Sequence, residues 1–223
     1  MPYCRICGAL LPDEKGLRYC PNCGAYLEPV ERYEKIGVTK VEVDKGIGFI
    51  PLKNRLAVLA IIFAICFFAT LLGAIAKVSP VEAQDMINEM ETLEEMIEVA
   101  GVPLIFGNNL IYCLIMFVPV LGPISGLYVL YSTGLVLAAM SSSAGINPFL
   151  LLTMLFLYPH AWMEYLSYSL AISESFWLLY SIVRFGFGGF KKELTNLWKA
   201  IAICVVMLLL AAIIEMQMIL IIS

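Results

Sequence analysis

Residues 99–163 read VAGVPLIFGNNLIYCLIMFVPVLGPISGLYVLYSTGLVLAAMSSSAGINPFLLLTMLFLYPHAWM, sixty-five residues without one Asp, Glu, Lys or Arg. Soluble composition, about a quarter charged, would place roughly sixteen there. A soluble element of that length still needs a wet face. A bilayer instead asks for about 20 apolar residues per helical span and tolerates only structures that satisfy their own backbone. The stretch therefore predicts packed transmembrane helices. The whole chain agrees, with 61% hydrophobic residues, 14% charged residues and a mean hydropathy of +0.88 over 223 residues. A net charge of −4 without a basic stripe leaves no signal for nucleic acid.

Working outward, the first apolar run is Leu56 to Ala76, which has no small-residue cleavage site at its end and reads as an uncleaved signal anchor. Lys45, Lys53 and Arg55 precede it. Residues 78–101 beyond it carry Glu82, Asp85, Glu89, Glu91, Glu94, Glu95 and Glu98 with no Lys or Arg. The basic-side rule then places the N-terminus in the cytoplasm of a multi-pass plasma-membrane protein. Within the acidic segment, Ser79-Pro80-Val81-Glu82 is a capping box with Pro at the first helical position. Met86, Met90, Leu93, Ile97 and Ala100 form an apolar stripe. An extracytoplasmic amphipathic helix at 79–100 is expected, lying on the membrane domain or docking a partner or a second copy.

Ahead of the anchor, Cys4 and Cys7 are followed by Gly8, and Cys20 and Cys23 by Gly24. Each two-residue spacer lets both thiolates of a pair face one ion, and the glycine suits the tight turn that follows. Four thiolates close a tetrahedral shell around structural zinc, bound by Cys4, Cys7, Cys20 and Cys23. Disulfides fit a reducing compartment poorly, and rubredoxin-like iron is the rarer occupant of so small a ribbon. Leu10, Leu11, Tyr19, Tyr26 and Leu27 make a small apolar core, so metal binding would supply folding free energy. Residues 1–27 resemble the small zinc ribbons fused ahead of prokaryotic membrane domains, which implies a docking module. The expected domains are the cytoplasmic ribbon at 1–27, a linker at 28–55 with a short strand possible at 38–43, and a transmembrane domain at 56–223. Cys66, Cys113 and Cys204 fall in apolar runs and read as small hydrophobes.

Polar residues inside the apolar runs are the functional candidates, because each costs free energy unless paired or hydrated. They are Asn108, Asn109, His160, Glu164 and Glu215. His160 and Glu164 share a helical face behind the break at Pro159, and Pro119 with Gly122 and Pro123 marks another break. Residues 149–183 suit either two short spans or one span plus a re-entrant piece. Residues 185–192 read as an interfacial loop and Trp198 to Ile222 as the last span. The fold class is thus an all-α polytopic membrane protein of about 5–6 transmembrane or re-entrant helices behind a zinc ribbon.

The order Asn108-Asn109-Leu110, glycine-rich breaks through Gly134, Tyr158-Pro159-His160 with Glu164, and Ala211 to Glu215 resembles the stage II sporulation protein M family across roughly residues 56–221. The family's asparagine pair, Leu-Pro-His…Glu element and Ile-Glu step correspond to Asn108/Asn109, Pro159/His160/Glu164 and Ile214/Glu215. Its usual basic residue after the pair is Ile111 or Tyr112 here, and its Asn-Gly step is Thr133-Gly134. The resemblance implies an envelope scaffold with protein partners on both sides of the bilayer, self-association being one option, or a path through it for an ion or small molecule. Catalysis is not expected: His160 is the single histidine, so no HExxH pair exists, and a serine nucleophile would need a base nearby in a glycine-rich setting, for which Ser141 to Ser143 are merely candidates.

Overall fold

A computed structural model describes residues 7–10, 19–26 and 51–222, the side chains of Lys192 and Ile222 excepted. The chain divides into two compact units, Met1–Gly46 and Ile47–Ser223. Cys4 and the linker residues 28–50, with the alternating stretch at 38–43, lie outside the described residues.

In the second unit every described element is helical: α1 Leu52–Ala74, α2 Pro80–Ala100, α3 Val102–Met116, α4 Leu121–Ala144, α5 Pro148–Leu157 and α6 Pro159–Ile222. Among the described residues four segments are long and apolar enough to cross a membrane, Leu52–Ala74, Leu121–Ala144, Pro159–Lys191 and Glu193–Ile221. At 1.5 Å per residue, α3 and α5 reach only about 22 and about 15 Å, short of a hydrocarbon core of about 30 Å. Proline sets both starts: Pro103 opens α3, and Pro148 opens α5 behind an Asn147 side chain that accepts from the Phe149 N–H at 2.9 Å.

α6 is not one rod. Its 64 residues would run about 96 Å, three bilayers deep, and the run breaks at Gly186, whose φ of 61° and ψ of −149° belong to glycine. The arms on either side fold back on one another. Gly189 is buried where an added Cβ would strike the Ser181 carbonyl, so only glycine allows the turn to close this tightly. The loop expected at 185–192 is therefore corrected to a single non-helical residue between two helices.

α1 packs most extensively on α4, and the contact is built from absent side chains. A Cβ on Gly73 would lie 2.1 Å from the Tyr131 carbonyl oxygen, and one on Gly134 would lie 2.2 Å from that of Thr70. Gly122, Gly126, Leu130, Gly134 and Ala138 continue this buried stripe along α4 at four-residue spacing. Small residues let helix backbones approach where lipid provides no hydrophobic drive. Between α3 and α4, Val120 has φ 70° and ψ −54°, and Leu121 N–H donates to the Pro119 carbonyl at 2.8 Å. That is the strained form of the γ-turn, and it reverses the chain in four residues.

α2 starts at the expected capping box: the Glu82 N–H donates to the Ser79 hydroxyl at 3.3 Å and the Ser79 N–H to the Glu82 carboxylate at 3.0 Å. Its inner face differs from the expected stripe. Ala83 is buried and Met86, Ile87, Met90 and Ile97 are half-buried, in a helix that rests on α4 and α3, whereas Leu93 and Ala100 are exposed.

Candidate functional site

In the first unit, the Sγ atoms of Cys7, Cys20 and Cys23 all lie within 4.8 Å of one another, and those of Cys7 and Cys20 are 3.7 Å apart. Four thiolates at about 2.3 Å from a tetrahedral zinc would be separated by about 3.8 Å, so the spacing fits. The local backbone explains it. The Gly24 N–H donates to the Cys20 carbonyl and the Cys20 N–H to the Ala25 carbonyl, both at 2.8 Å, closing a turn flanked by the Tyr19–Tyr26 bridge. Gly8 and Gly24, each behind a CxxC pair, take φ of 71° and 69°, conformations that glycine adopts without strain. Asn22 Nδ2 approaches the Cys7 sulfur at 3.7 Å. Three of the four expected ligands are thus close enough to hold a metal ion.

In the second unit, three of the five polar candidates converge from three helical segments. The Asn109 side-chain amide on α3 donates to the Glu164 carboxylate on the first arm of α6 at 2.7 Å, and the Glu215 carboxylate on the second arm lies within electrostatic reach of Glu164. The buried Tyr168 stands within reach of both carboxylates and of Cys113. Asn108, one residue away, is exposed, and both asparagines sit in mid-helix. His160 stacks on Tyr158 with ring centroids 5.7 Å apart, and its Nδ1 is buried without a partner among the described residues. A turn away from the carboxylates, Cys113 and Cys204 both direct their thiols at the Ser167 carbonyl, at 3.9 and 3.4 Å.

A second polar constellation escaped the sequence reading. Arg55 Nη1 donates to both oxygens of Glu174 at 2.9 Å, and Nη2 to both oxygens of Glu193 at 2.7 and 2.5 Å. All three side chains are nearly buried, at 13%, 9% and 10% exposure. Asn196 donates to Glu193 at 3.1 Å, and the guanidinium sits 5.6 Å from the Trp177 ring centroid. One cation thereby clamps α1 to both arms of α6, each terminal nitrogen of the guanidinium facing both oxygens of one carboxylate. It also fixes direction: the start of α1 and the turn at Gly186 lie at one end of the helical unit, with Lys53, Arg184 and Lys191 around them. Glu174, a lone charge within the apolar 165–183 run, was the available signal. Thr70 and Tyr165 add a buried hydroxyl pair at 2.5 Å between α1 and α6.

The chain matches no protein-family profile, and no curated protein or solved structure is detectably similar to it. The function must be argued from these two polar clusters, the cysteines and the surface of α2.

Proposed function

We propose that the chain is an integral membrane scaffold of the cell envelope, a relative of the stage II sporulation protein M family, with its N-terminus in the cytoplasm. The observation that carries this reading is that Arg55 binds both Glu174 and Glu193 while Asn109 binds Glu164. Polar groups used on one another hold helices in a fixed arrangement; groups used on a passing solute must be left available to it. The basic end formed by Lys53, Arg184 and Lys191 supports a cytoplasmic placement, and the acidic α2 then faces outward. α3 and α5 enter the bilayer as half-length helices shielded by the long spans. Zinc occupies the cysteine cluster, held by Cys7, Cys20 and Cys23 with Cys4 as fourth ligand. A closed shell of this kind supplies folding free energy and leaves no position for a substrate.

Co-purification from native membranes tests the scaffold. Deleting residues 1–27 or 79–100 releases partners, and proteoliposomes holding the intact chain pass no common ion or metabolite. A second reading, a transporter or channel, is favoured by the neighbouring carboxylates of Glu164 and Glu215 and the unpartnered His160 Nδ1. It requires flux in wild type that disappears in Glu164→Gln or His160→Ala while thermal stability is retained. That result would replace the scaffold.

A further inference from the structure

Resting on the scaffold reading, we propose that an exposed flank of α2 is a docking site for a cationic amphipathic helix of a partner protein. Read at helical spacing, that face presents Glu82, Asp85, Glu89, Leu93, Met96 and Ala100, every one exposed. The first half of the stripe is acidic and the second half apolar. It runs along the flank of α2, about 100° round from the side of Ala83, Ile87 and Met90 that α2 turns toward its own protein, with Leu93 on the edge next to Met86.

The apolar half is not a scatter of surface residues. Leu93, Met96 and Val99 are 46%, 45% and 91% exposed, and the last two line a shallow hollow of about 450 Å³ together with Glu95, Ala100 and Leu104. α2 carries seven carboxylates and no cation, and among the described residues no Lys or Arg pairs with any of them. Charge and pattern together select the occupant. A helix with Lys or Arg over two turns and aliphatic side chains over the next two would meet opposite charge along one half and fill the hollow along the other. A second copy of α2 does neither: laid parallel it sets carboxylates on carboxylates, and laid antiparallel it buries them against Leu93 and Met96. An anionic bilayer surface repels the acidic half.

The full chain in phosphatidylcholine nanodiscs is titrated with a fluorescent synthetic helical peptide carrying three Lys and then three Leu at three- and four-residue spacing. Saturable binding is expected. Asp85→Asn with Glu89→Gln, which spares the capping residue Glu82, weakens binding about tenfold, and Leu93→Ser with Met96→Ser does the same. Added salt weakens wild-type binding more than that of the charge-neutralised variant. Equal binding of a peptide of the same composition with scattered Lys and Leu overturns the proposal, as does wild-type affinity in both variants. Quenching of a Met96→Trp side chain by brominated lipid, without peptide, also overturns it by placing the apolar half in the bilayer. If native partners still require residues 79–100 while the peptide does not bind, this assignment of the face falls and the scaffold stands. If flux is found and no partner depends on any segment, the scaffold itself falls.

Discussion

Arg55 binds four carboxylate oxygens, and its removal leaves two nearly buried acids facing each other. Breaking a buried pair by deleting one partner costs about 3–5 kcal/mol, whereas replacing every member by apolar groups of similar size is often neutral. Arg55→Met should therefore lower the melting temperature in detergent sharply, and adding Glu174→Met and Glu193→Met to it should restore most of the loss. The asparagine pair gives a second contrast. Asn109→Leu removes a hydrogen bond to a carboxylate and costs about 1.5–3 kcal/mol, while Asn108→Leu, on an exposed position, stays within about 0.5 kcal/mol. Equal melting temperatures for the two variants would contradict the geometry. Asn109, Glu164 and Glu215 were singled out in the sequence because polarity inside an apolar run needs a reason. Arg55 was passed over because a basic residue at the mouth of a first span already has one: it sets orientation. Its partners lie 119 and 138 residues away, a separation that no local pattern spans.

At the scale of elements, the α1–α4 contact depends on two glycines facing each other's backbone. Gly73→Ala or Gly134→Ala forces the helices apart and costs on the order of 1–3 kcal/mol, whereas Gly107→Ala on α3, with nothing within 4 Å of its added Cβ, should be neutral or stabilising by up to about 1 kcal/mol. Thermal melting of the three variants checks the contrast. α2 supplies a pH test. The Ser79 hydroxyl and then the Ser79 N–H hold the Glu82 carboxyl below the usual carboxylate range. A group depressed in the folded state contributes fully above its unfolded value, about 4.3 for Glu, and loses that contribution as pH falls through its folded value. Hydrogen exchange of residues 79–86, corrected for intrinsic rates, should thus accelerate on going from about pH 5 to about pH 3, and Glu82→Gln should flatten the response. The capping box was legible because Ser, Pro and Glu at those offsets have one shared use. The stripe behind it was legible only in part: a seam of alternating three- and four-residue steps includes Leu93 and Ala100, but the helix turns a wider face centred on Ala83 and Met90 toward α4.

For the molecule as a whole, membrane residence was readable from the uncharged residues 99–163 alone, since no packing detail can hydrate so long an apolar run. The count of crossings was not. Expecting 5–6 transmembrane or re-entrant helices, one finds among the described residues four long enough to span and two that are too short, because Pro103, Pro148 and Pro159 restart the helix at places that hydropathy averages over. The reversal at Gly186 was hidden for the opposite reason: Phe, Gly and Lys in 185–192 look like a loop, yet one glycine suffices. The cysteine spacing was the sharpest local signal, and the clustered sulfurs of the first unit give it a stoichiometric test. One zinc ion should bind per chain, measured by mass spectrometry under native conditions, and Cys20→Ser should abolish it.

The arginine clamp also orders events during synthesis. Arg55 enters the bilayer with the first span, but Glu193 is not yet made until 138 further residues have left the ribosome, a delay on the order of ten seconds. Until then the guanidinium lacks one of the two carboxylates that hold it in the finished structure. Any chain that stalls or is cut before the last hairpin arrives keeps an orphaned charge in its first helix, a ready mark by which membrane quality control could tell an unfinished molecule from a complete one.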